Sequence, residues 1–248
     1  MIICKNLNDR DTITTIVEWK EKCPPERADY HWQDGRSAKE LAEEWINRKG
    51  QAISVLLNNH PTFHGINLTK ASPELETRFD RFGRGRKHDL LIIGEKANEK
   101  IVIAVEAKVD EGFGNDTAES YYMKAILKRL AGDTTNVPGR VEGLIQALFK
   151  QPYSKNILSL QYQLLHAVAA TLVEAKKQSA TKAIFVVHTF KTSKMDSVKN
   201  KDNNEKLDRF VRVIGLGSRI KDGEIIGPIS VPGNGFIPSD ISLYIGKI

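Results

Sequence analysis

Short runs of branched apolar residues stand out against longer segments of helical periodicity along the chain. Residues 88–94 (HDLLIIG) and 100–109 (KIVIAVEAKV) are rich in Leu, Ile and Val, and a polar stretch separates them. Such runs predict β-strands, and the short polar connection predicts that the two strands pair as an antiparallel hairpin. A third run, AIFVVHTF at 183–190, predicts a further buried strand.

Segments with helical spacing flank these strands. Ser37 and Glu40 have the S-x-x-E spacing of a capping box, and the apolar residues after them predict a helix over 37–49 that a glycine ends. A second short helix is predicted before Pro61. A long helix is predicted at about 157–178, where the string LLHAVAATLV indicates burial on more than one side.

The stretch 113–156 has mixed signals. Helical spacing near 118–131 is followed by turn signals at Asn136–Gly139 and at Pro152. We therefore predict an insertion that packs on one side of the core.

The segment after the third strand is polar. Residues 191–206 consist mainly of Lys, Asp, Asn and Ser, which predicts a solvated or mobile loop. Its lysines can meet phosphates, but interrupting acidic residues favour an ordinary surface loop. A short helix near 205–213 and an edge strand at 241–245 follow. The resulting order of helix, strands, long helix and strand predicts an α/β fold with a mixed central sheet.

Composition narrows the class of protein. The chain has 248 residues, of which 40% are hydrophobic and 27% charged, so disordered and collagen-like chains are excluded. No repeat or linker divides it, which predicts a single domain over 1–248. The net charge of +6 favours an anionic partner. Cys4 and Cys23 are the only cysteines, so a disulfide framework is excluded and a cytoplasmic location is expected. No apolar run reaches the ~18 residues of a membrane span, so no membrane partner is expected.

The strand over 100–109 carries the first chemical signal. Residues two apart in a strand point the same way, so Glu106 and Lys108 share one face. Buried ions cost several kcal/mol each unless they are paired, hydrogen-bonded or bound to a metal. If the hairpin pairs residues whose numbers sum to 195, Asp89 lies opposite Glu106, with Cβ atoms roughly 5 Å apart. A slip of one residue would turn Asp89 to the other face.

Two opposed carboxylates at that separation can share one divalent cation. Mg²⁺ or Mn²⁺ suits such a site, since both bind carboxylate, carbonyl and water oxygens, and the carbonyl of Ala107 is the expected third ligand. The alternative is a structural ion pair between Glu106 and Lys108, with Asp89 capping a turn. Spacing alone leaves both open.

Asp89, followed after a hairpin by Glu106-Ala107-Lys108, resembles the D…(D/E)-x-K signature of the PD-(D/E)XK superfamily, which has the restriction-endonuclease-like fold. The order of elements, αβββαβ, is also similar. The strings HWQDGRSAKELAEEW, VEAKVDEGFG and YQLLHAVAATLVEA resemble a bacterial subgroup of that superfamily. His88 stands where the superfamily's name implies a proline.

The resemblance implies a metal-dependent nuclease that hydrolyses phosphodiester bonds, in DNA above all. Asp89 and Glu106 would hold Mg²⁺ or Mn²⁺, and Lys108 would orient the attacking water. Members often place a glutamine of the long helix near the metal, which implies Gln163, with Gln161 in reserve. His166, one turn further, is expected to be a buried histidine rather than a ligand.

A further carboxylate on an early helix is common in the superfamily. Glu40, Glu43, Glu44 and Glu76 all compete for that role, and the sequence does not choose among them.

The segment RFGRGRKH at 81–88 precedes Asp89 with four cations and no acid. We expect Arg84, Arg86 and Lys87 to contact phosphates, the alternative being an ordinary charged turn. A catalytically silent nucleic-acid-binding or protein-interaction module on the same fold is the alternative function. Cutting both strands would call for a homodimer, and the oligomeric state stays open.

Overall fold

The computed structural model describes residues 1–9, 11–151 and 154–248. A mixed sheet of seven strands runs through this part of the chain and helices cover it, which confirms the predicted α/β class. The strands are β1 (Ile2–Ile3), β2 (Asn67–Thr77), β3 (Arg86–Lys96), β4 (Glu99–Lys108), β5 (Lys182–Thr189), β6 (Glu224–Ile229) and β7 (Ser242–Lys247). The helices are α1 (Ile16–Lys22), α2 (Ala28–His31), α3 (Ser37–Ile46), α4 (Gln51–Asn58), α5 (Ala118–Leu130), α6 (Val137–Leu148), α7 (Lys155–Leu158), α8 (Tyr162–Lys177) and α9 (Ser197–Ile214).

The strands lie in the order β1-β2-β3-β4-β5-β7-β6. The β3–β4 pair is the predicted antiparallel hairpin, whereas β4, β5 and β7 run parallel. Parallel neighbours need a crossover connection, and helices α5 to α8 supply it between β4 and β5. The carboxyl ends of the three parallel strands therefore meet at one edge of the sheet, where open α/β sheets commonly bind ligands.

Apolar side chains of β4 alternate between two cores. Val102 and Ala104 belong to the core that contains α8, whereas Ile103 and Val105 belong to the core that contains α3 and α4. This alternation confirms the two faces predicted for the strand. Glu106 therefore continues the face that packs against α8.

The predicted helix at 157–178 is two helices. The backbone of Gln161 is extended and pairs with Thr117 in an isolated β-bridge, so α7 ends at Leu158 and α8 begins at Tyr162. The prediction of burial on more than one side is confirmed, because α8 is buried almost continuously from Leu164 to Ala175.

The loop predicted at 191–206 is wrong in its second half. Helix α9 begins at Ser197, where the Asp196 side chain accepts hydrogen bonds from the backbone N–H groups of Val198 and Lys199. The large apolar residues of α9 are concentrated in its later turns, so composition alone revealed only the part near 205–213.

The strand predicted at 241–245 exists as β7, but it is not an edge strand. It lies between β5 and β6, and β6 is the edge. Gly227 and Pro228 interrupt the apolar pattern of β6 and hid it from the sequence analysis. Proline is tolerated there because an edge strand has one unpaired side. Strands β1 and β2 and helices α1 and α2 also went unpredicted.

The capping box predicted at Ser37 is wrong. Arg36 occupies the N-cap of α3, the Ser37 hydroxyl bonds to Glu111 instead, and the Glu40 carboxylate accepts from the N–H of Gly35. The helix ends at Ile46 rather than at 49. Gly50 has a φ of +69° and starts the second short helix, α4, which confirms that prediction.

The predicted insertion holds α5, α6 and α7. The turn predicted at Asn136–Gly139 is instead the start of α6, with Pro138 in its first turn, a position that suits proline. Pro152 lies outside the described residues. No helix of the described ranges combines the length and apolar character that crossing a bilayer requires.

Candidate functional site

The β3–β4 hairpin sets the position of two carboxylates. Its two-residue turn has left-handed backbone at Ala97 and Asn98, and Leu90 pairs with Val105. This is the predicted register, and it brings Asp89 opposite Glu106 at the end remote from the turn. The Asp89 Oδ2 atom accepts a hydrogen bond of 2.7 Å from the backbone N–H of Ala107. Asp89 therefore does not cap a turn.

Glu106 is surrounded by donors. Its Oε1 atom lies 2.9 Å from the Lys108 ammonium and accepts a 2.6 Å hydrogen bond from Nε2 of Gln163. Its other oxygen forms an ion pair with Arg86. Burial acts to raise the pKa of Glu106, but the charges of Arg86 and Lys108 outweigh it and hold the pKa well below its usual range. Glu106 is therefore anionic.

Asp89 has the opposite electrostatic environment. Burial, together with the negative charge of Glu106, raises the pKa of the Asp89 carboxyl. No ion pair involves Asp89 among the described residues, and its recorded hydrogen bond comes from a neutral backbone group. Arg86 and Lys108 thus pair directly with Glu106 and act on Asp89 through their charge without forming an ion pair with it.

Glu74 of β2 is a third carboxylate at this point, and the sequence analysis missed it. Pro73 pairs with Leu90, so Glu74 is level with Asp89 across the sheet. Its backbone is left-handed, with a φ of +51°, a conformation that costs about 1–3 kcal/mol and clusters at functional sites. Burial, followed by the charge of Asp89, raises the pKa of Glu74 to about 8. No local feature distinguishes Glu74 from Glu76; only the pairing of β2 does.

The four early carboxylates predicted as candidates lie elsewhere. Glu40 bonds to Gly35, as described above, and Glu43 lies 3.9 Å from the Lys39 ammonium. Glu44 is buried and accepts from the N–H of Ala52. Glu76 accepts a hydrogen bond from the N–H of Gly85 and so fixes the backbone of the basic segment at 81–88. The structure gives each of them a structural partner.

The basic segment divides into two parts. Arg84 and Lys87 are exposed, as residues that contact phosphate must be. Arg86 is not: its side chain is 16% exposed and its guanidinium is paired with Glu106. The strand register turns Arg86 inward to the carboxylates, so its contact with phosphate stays a prediction.

Helix α8 contributes one of its two candidate glutamines. Gln163 bonds to Glu106, whereas Gln161 lies at the N-cap of the helix and does not reach the carboxylates. The His166 ring lies 4.8 Å from the Tyr162 ring at an angle of 54°, and burial lowers the pKa of His166 well below its usual range. His166 is therefore a neutral ring beside the site.

A cavity of about 270 Å³ opens onto these groups, between α3 and α8. Its floor contains Glu74, Asp89, Glu106 and Lys108, and its opposite wall contains Trp19, Cys23, His31 and Trp32. Burial raises the pKa of the Cys23 thiol to about 11, so this sulfur stays protonated and is a poor nucleophile. The chemistry of the cavity therefore belongs to the oxygen and nitrogen groups of its floor.

The floor offers oxygen ligands to a hard cation. Asp89 and Glu106 supply carboxylate oxygens, and Ala107 lines the same cavity. In an extended strand the N–H and C=O of one residue point to the same neighbouring strand. Because the Ala107 N–H points to Asp89 of β3, the Ala107 carbonyl is on that side too. Within the described ranges, no three His, Cys, Asp or Glu side chains form a ready metal-binding group.

A family model described as a Domain of unknown function (DUF6946) matches residues 12–248. The match includes every residue of the cavity floor and wall described above. No curated protein and no solved structure matches the chain. The family description states no activity, so the geometry of the cavity is the basis for a function.

Proposed function

The chain belongs to the family described as a domain of unknown function, and from its own cavity we propose that it is a metal-dependent nuclease that hydrolyses phosphodiester bonds in DNA. The observation that carries the proposal is the pair of opposed carboxylates, the half-buried Asp89 and the buried Glu106, with the Lys108 ammonium 2.9 Å from Glu106 and no ion pair to Asp89 among the described residues. Two carboxylates at this separation can hold one divalent cation between them.

The order of elements supports a restriction-endonuclease-like core as part of this proposal. Helix α4, strands β2, β3 and β4, helix α8 and strand β5 occur along the chain in the order αβββαβ, with α5, α6 and α7 between β4 and α8. The carboxylates and the lysine lie on its second and third strands, where the sequence resemblance puts them.

The donor set fits Mg²⁺ or Mn²⁺. Asp89, Glu106 and the carbonyl of Ala107 would hold the ion, because hard cations prefer carboxylate and carbonyl oxygens. The Asp89 carboxylate forms no ion pair among the described residues, which favours the same assignment. When bound, the ion would polarise a phosphate oxygen and lower the pKa of an attacking water.

The remaining polar residues act through position and charge. Lys108 is held between Glu106 and the carbonyl of Gly112, which lies 3.2 Å from its nitrogen. An ammonium fixed there can donate to the attacking water and offset the charge that grows on the phosphorane-like transition state. Gln163 fixes the orientation of Glu106 through its 2.6 Å hydrogen bond.

Cleavage of DNA by the purified protein with Mn²⁺ or Mg²⁺ tests the activity. We expect Asp89→Asn and Lys108→Ala to reduce the rate by at least about 100-fold, the typical contribution of a general acid–base or charge-stabilising group. Glu95→Gln is the matched control, because Glu95 is an exposed carboxylate on the same strand as Asp89. Equal cleavage by the wild type and the two site variants would assign the activity to a contaminant and refute the proposal.

A catalytically silent binding module is the second candidate. The observation that favours it is that Arg86 and Lys108 already neutralise Glu106 within the protein. Titration calorimetry with Mn²⁺ separates the two functions. A nuclease should give a heat of binding that Glu106→Gln abolishes, whereas a silent module should give none.

A further inference from the structure

The wall of the cavity opposite the carboxylates is built from aromatic side chains of residues 19–32. Trp19 of α1 is 2% exposed, and His31 and Trp32, at the end of α2, are partly exposed. None of these residues takes part in the proposed hydrolysis. The cavity between wall and floor has a volume of about 270 Å³ and is partly open to solvent.

The wall is fixed to the rest of the fold. The Arg36 guanidinium donates hydrogen bonds to both carboxylate oxygens of Asp110 at 2.9 and 3.2 Å. The centre of the Tyr30 ring lies 4.0 Å from the Cζ atom of Arg36. Ser37 bonds to Glu111, and the Thr192 hydroxyl donates to the Gly35 carbonyl at 2.9 Å. Moving the wall away from the floor would break these bonds, so the wall is a fixed part of the site.

The size of the cavity limits what can reach its floor. Ligand sites commonly enclose about 300–1000 Å³, and this cavity is at the lower end. In a duplex the bases are stacked inside the helix, so only an unpaired nucleotide can bring its base to the aromatic wall while its phosphate is at the floor. Glu106 and Lys108 are 3% and 4% exposed, so a phosphate must enter the cavity to reach them. Enzymes whose sites must receive a base act on single strands or on extruded nucleotides.

The chemistry of wall and entrance suits an unpaired strand. Single-stranded nucleic acids are bound by aromatic rings that stack on bases, together with cations that contact the backbone. Here Trp32 and His31 supply rings, and the exposed Lys87 lines the same cavity. The exposed Arg84 continues the basic surface into the neighbouring cavity, which shares Arg86 and Lys87.

We propose that the cavity admits one unpaired nucleotide at a time, so that the substrate is single-stranded DNA or an unpaired segment within a duplex, with the bases stacked against Trp32 and His31. This proposal rests on the proposed nuclease function, because it assigns the scissile phosphate to the floor that holds Asp89 and Glu106.

Three DNA probes of one sequence test it: a single strand, a duplex closed by hairpins at both ends, and that closed duplex with an unpaired internal loop. With Mn²⁺ we expect cleavage of the single strand and of the loop. The fully paired duplex should be cut about 100-fold more slowly, which corresponds to ~2.8 kcal/mol at 1.4 kcal/mol per tenfold. Equal cleavage of the closed duplex would overturn the proposal, whereas no Asp89-dependent cleavage of any probe would overturn the nuclease function instead.

A binding measurement keeps the proposal testable without turnover. Fluorescence anisotropy of the labelled probes in EDTA should show tighter binding of the single strand than of the closed duplex. We expect Trp32→Leu, which keeps an apolar side chain without a stacking face, to weaken binding of the single strand about tenfold. His31→Ala provides a second variant should Trp32→Leu unfold. Phe236→Ala is the control, since Phe236 is 53% exposed and outside this cavity. Equal affinity for both probes would contradict the proposal.

Discussion

At the scale of single residues, Arg86 matters because its guanidinium supplies positive charge to a carboxylate of the cavity floor. It pairs with Glu106, and its Nε atom is buried without a hydrogen-bond partner. Arg86 therefore balances one carboxylate of the floor at the cost of an unsatisfied donor. A metal ion at the same carboxylates would take over this charge and release the guanidinium for a phosphate.

We expect Arg86→Gln to destabilise the protein in EDTA by about 1.5–3 kcal/mol, because Glu106 loses one of its two cationic partners and keeps Lys108. Mn²⁺ should then raise the midpoint of thermal unfolding more in the variant than in the wild type, since the ion replaces the lost charge. Thermal melts with and without Mn²⁺ measure both effects. Arg84→Gln, an exposed arginine of the same segment, is the matched control. Identical Mn²⁺ shifts in the wild type and Arg86→Gln would show that Arg86 does not compete with a cation.

The sequence was sufficient for some residues of the floor and not for others. Asp89, Glu106 and Lys108 lie in one hairpin, so strand periodicity and one assumed register were enough to bring them together. Glu74 lies on β2, which has no continuous apolar run and so was not predicted as a strand, and nothing local identifies it. The aromatic wall was likewise hidden, because it depends on how the segment before α3 folds back over the sheet.

At the scale of elements, the basic segment is attached to helix α6 by one residue. The Nε atom of Arg140 lies 2.7 Å from the Asp80 carboxylate, and its Nη2 atom donates to the carbonyl of Arg84 at 2.9 Å. It also donates to the carbonyl of Phe82. The forked guanidinium thus holds several turns of the segment that leads into β3.

We expect Arg140→Lys to lower the free energy of unfolding by about 2 kcal/mol, because an ammonium keeps the charge but loses the fork that bridges these acceptors. Denaturant titration followed by circular dichroism gives this difference. Arg129→Lys is the control, since Arg129 makes one exposed hydrogen bond, to the carbonyl of Thr135, and its loss should change stability by less than about 0.5 kcal/mol. A change of equal size in both variants would refute the anchoring role of Arg140.

Elements were predictable where their apolar pattern was continuous. Strands β3, β4 and β5 and the body of α8 have long apolar runs, and the sequence analysis found all four. Helix α9 was only half found, because the turns after Asp196 are polar on every side and their helical structure depends on a side-chain cap. Strand β2 mixes Lys, Ser, Pro and Glu, so its pairing partners rather than its composition make it a strand.

At the scale of the whole molecule, one buried histidine in the sheet links stability to pH. His188 of β5 is 6% exposed, and its ring stacks on Phe190 with a centroid distance of 3.9 Å. Burial, the sole cause, lowers its pKa from 6.5 to about 4. Between these two values the unfolded chain binds a proton that the folded protein does not. The contribution of His188 to stability is therefore complete above pH 6.5 and is lost as the pH falls to about 4.

We expect the free energy of unfolding of the wild type to fall by up to ~3 kcal/mol from this residue over that pH range, at 1.36 kcal/mol per pKa unit. His188→Phe keeps a ring against Phe190, has no titrating group and removes the unpaired Nδ1 atom. Denaturant titrations at a series of pH values should therefore show a shallower decline in the variant. Parallel stability curves for the two proteins would contradict the assignment.

Because β7 lies inside the sheet and is the last strand along the chain, the sheet cannot be completed until residues 242–247 have been synthesised. β5 is complete at Thr189, yet the strand that pairs along its free side is not made until Ser242–Lys247. Throughout that interval a nascent chain exposes a strand of almost entirely apolar residues with unpaired backbone groups, the kind of surface on which polypeptides associate wrongly. Helix α9 is made within the interval, and its Phe210 and Val211 join the same core as Phe185 and Val187 of β5, so docking of α9 would cover one apolar face of β5 before β7 is made.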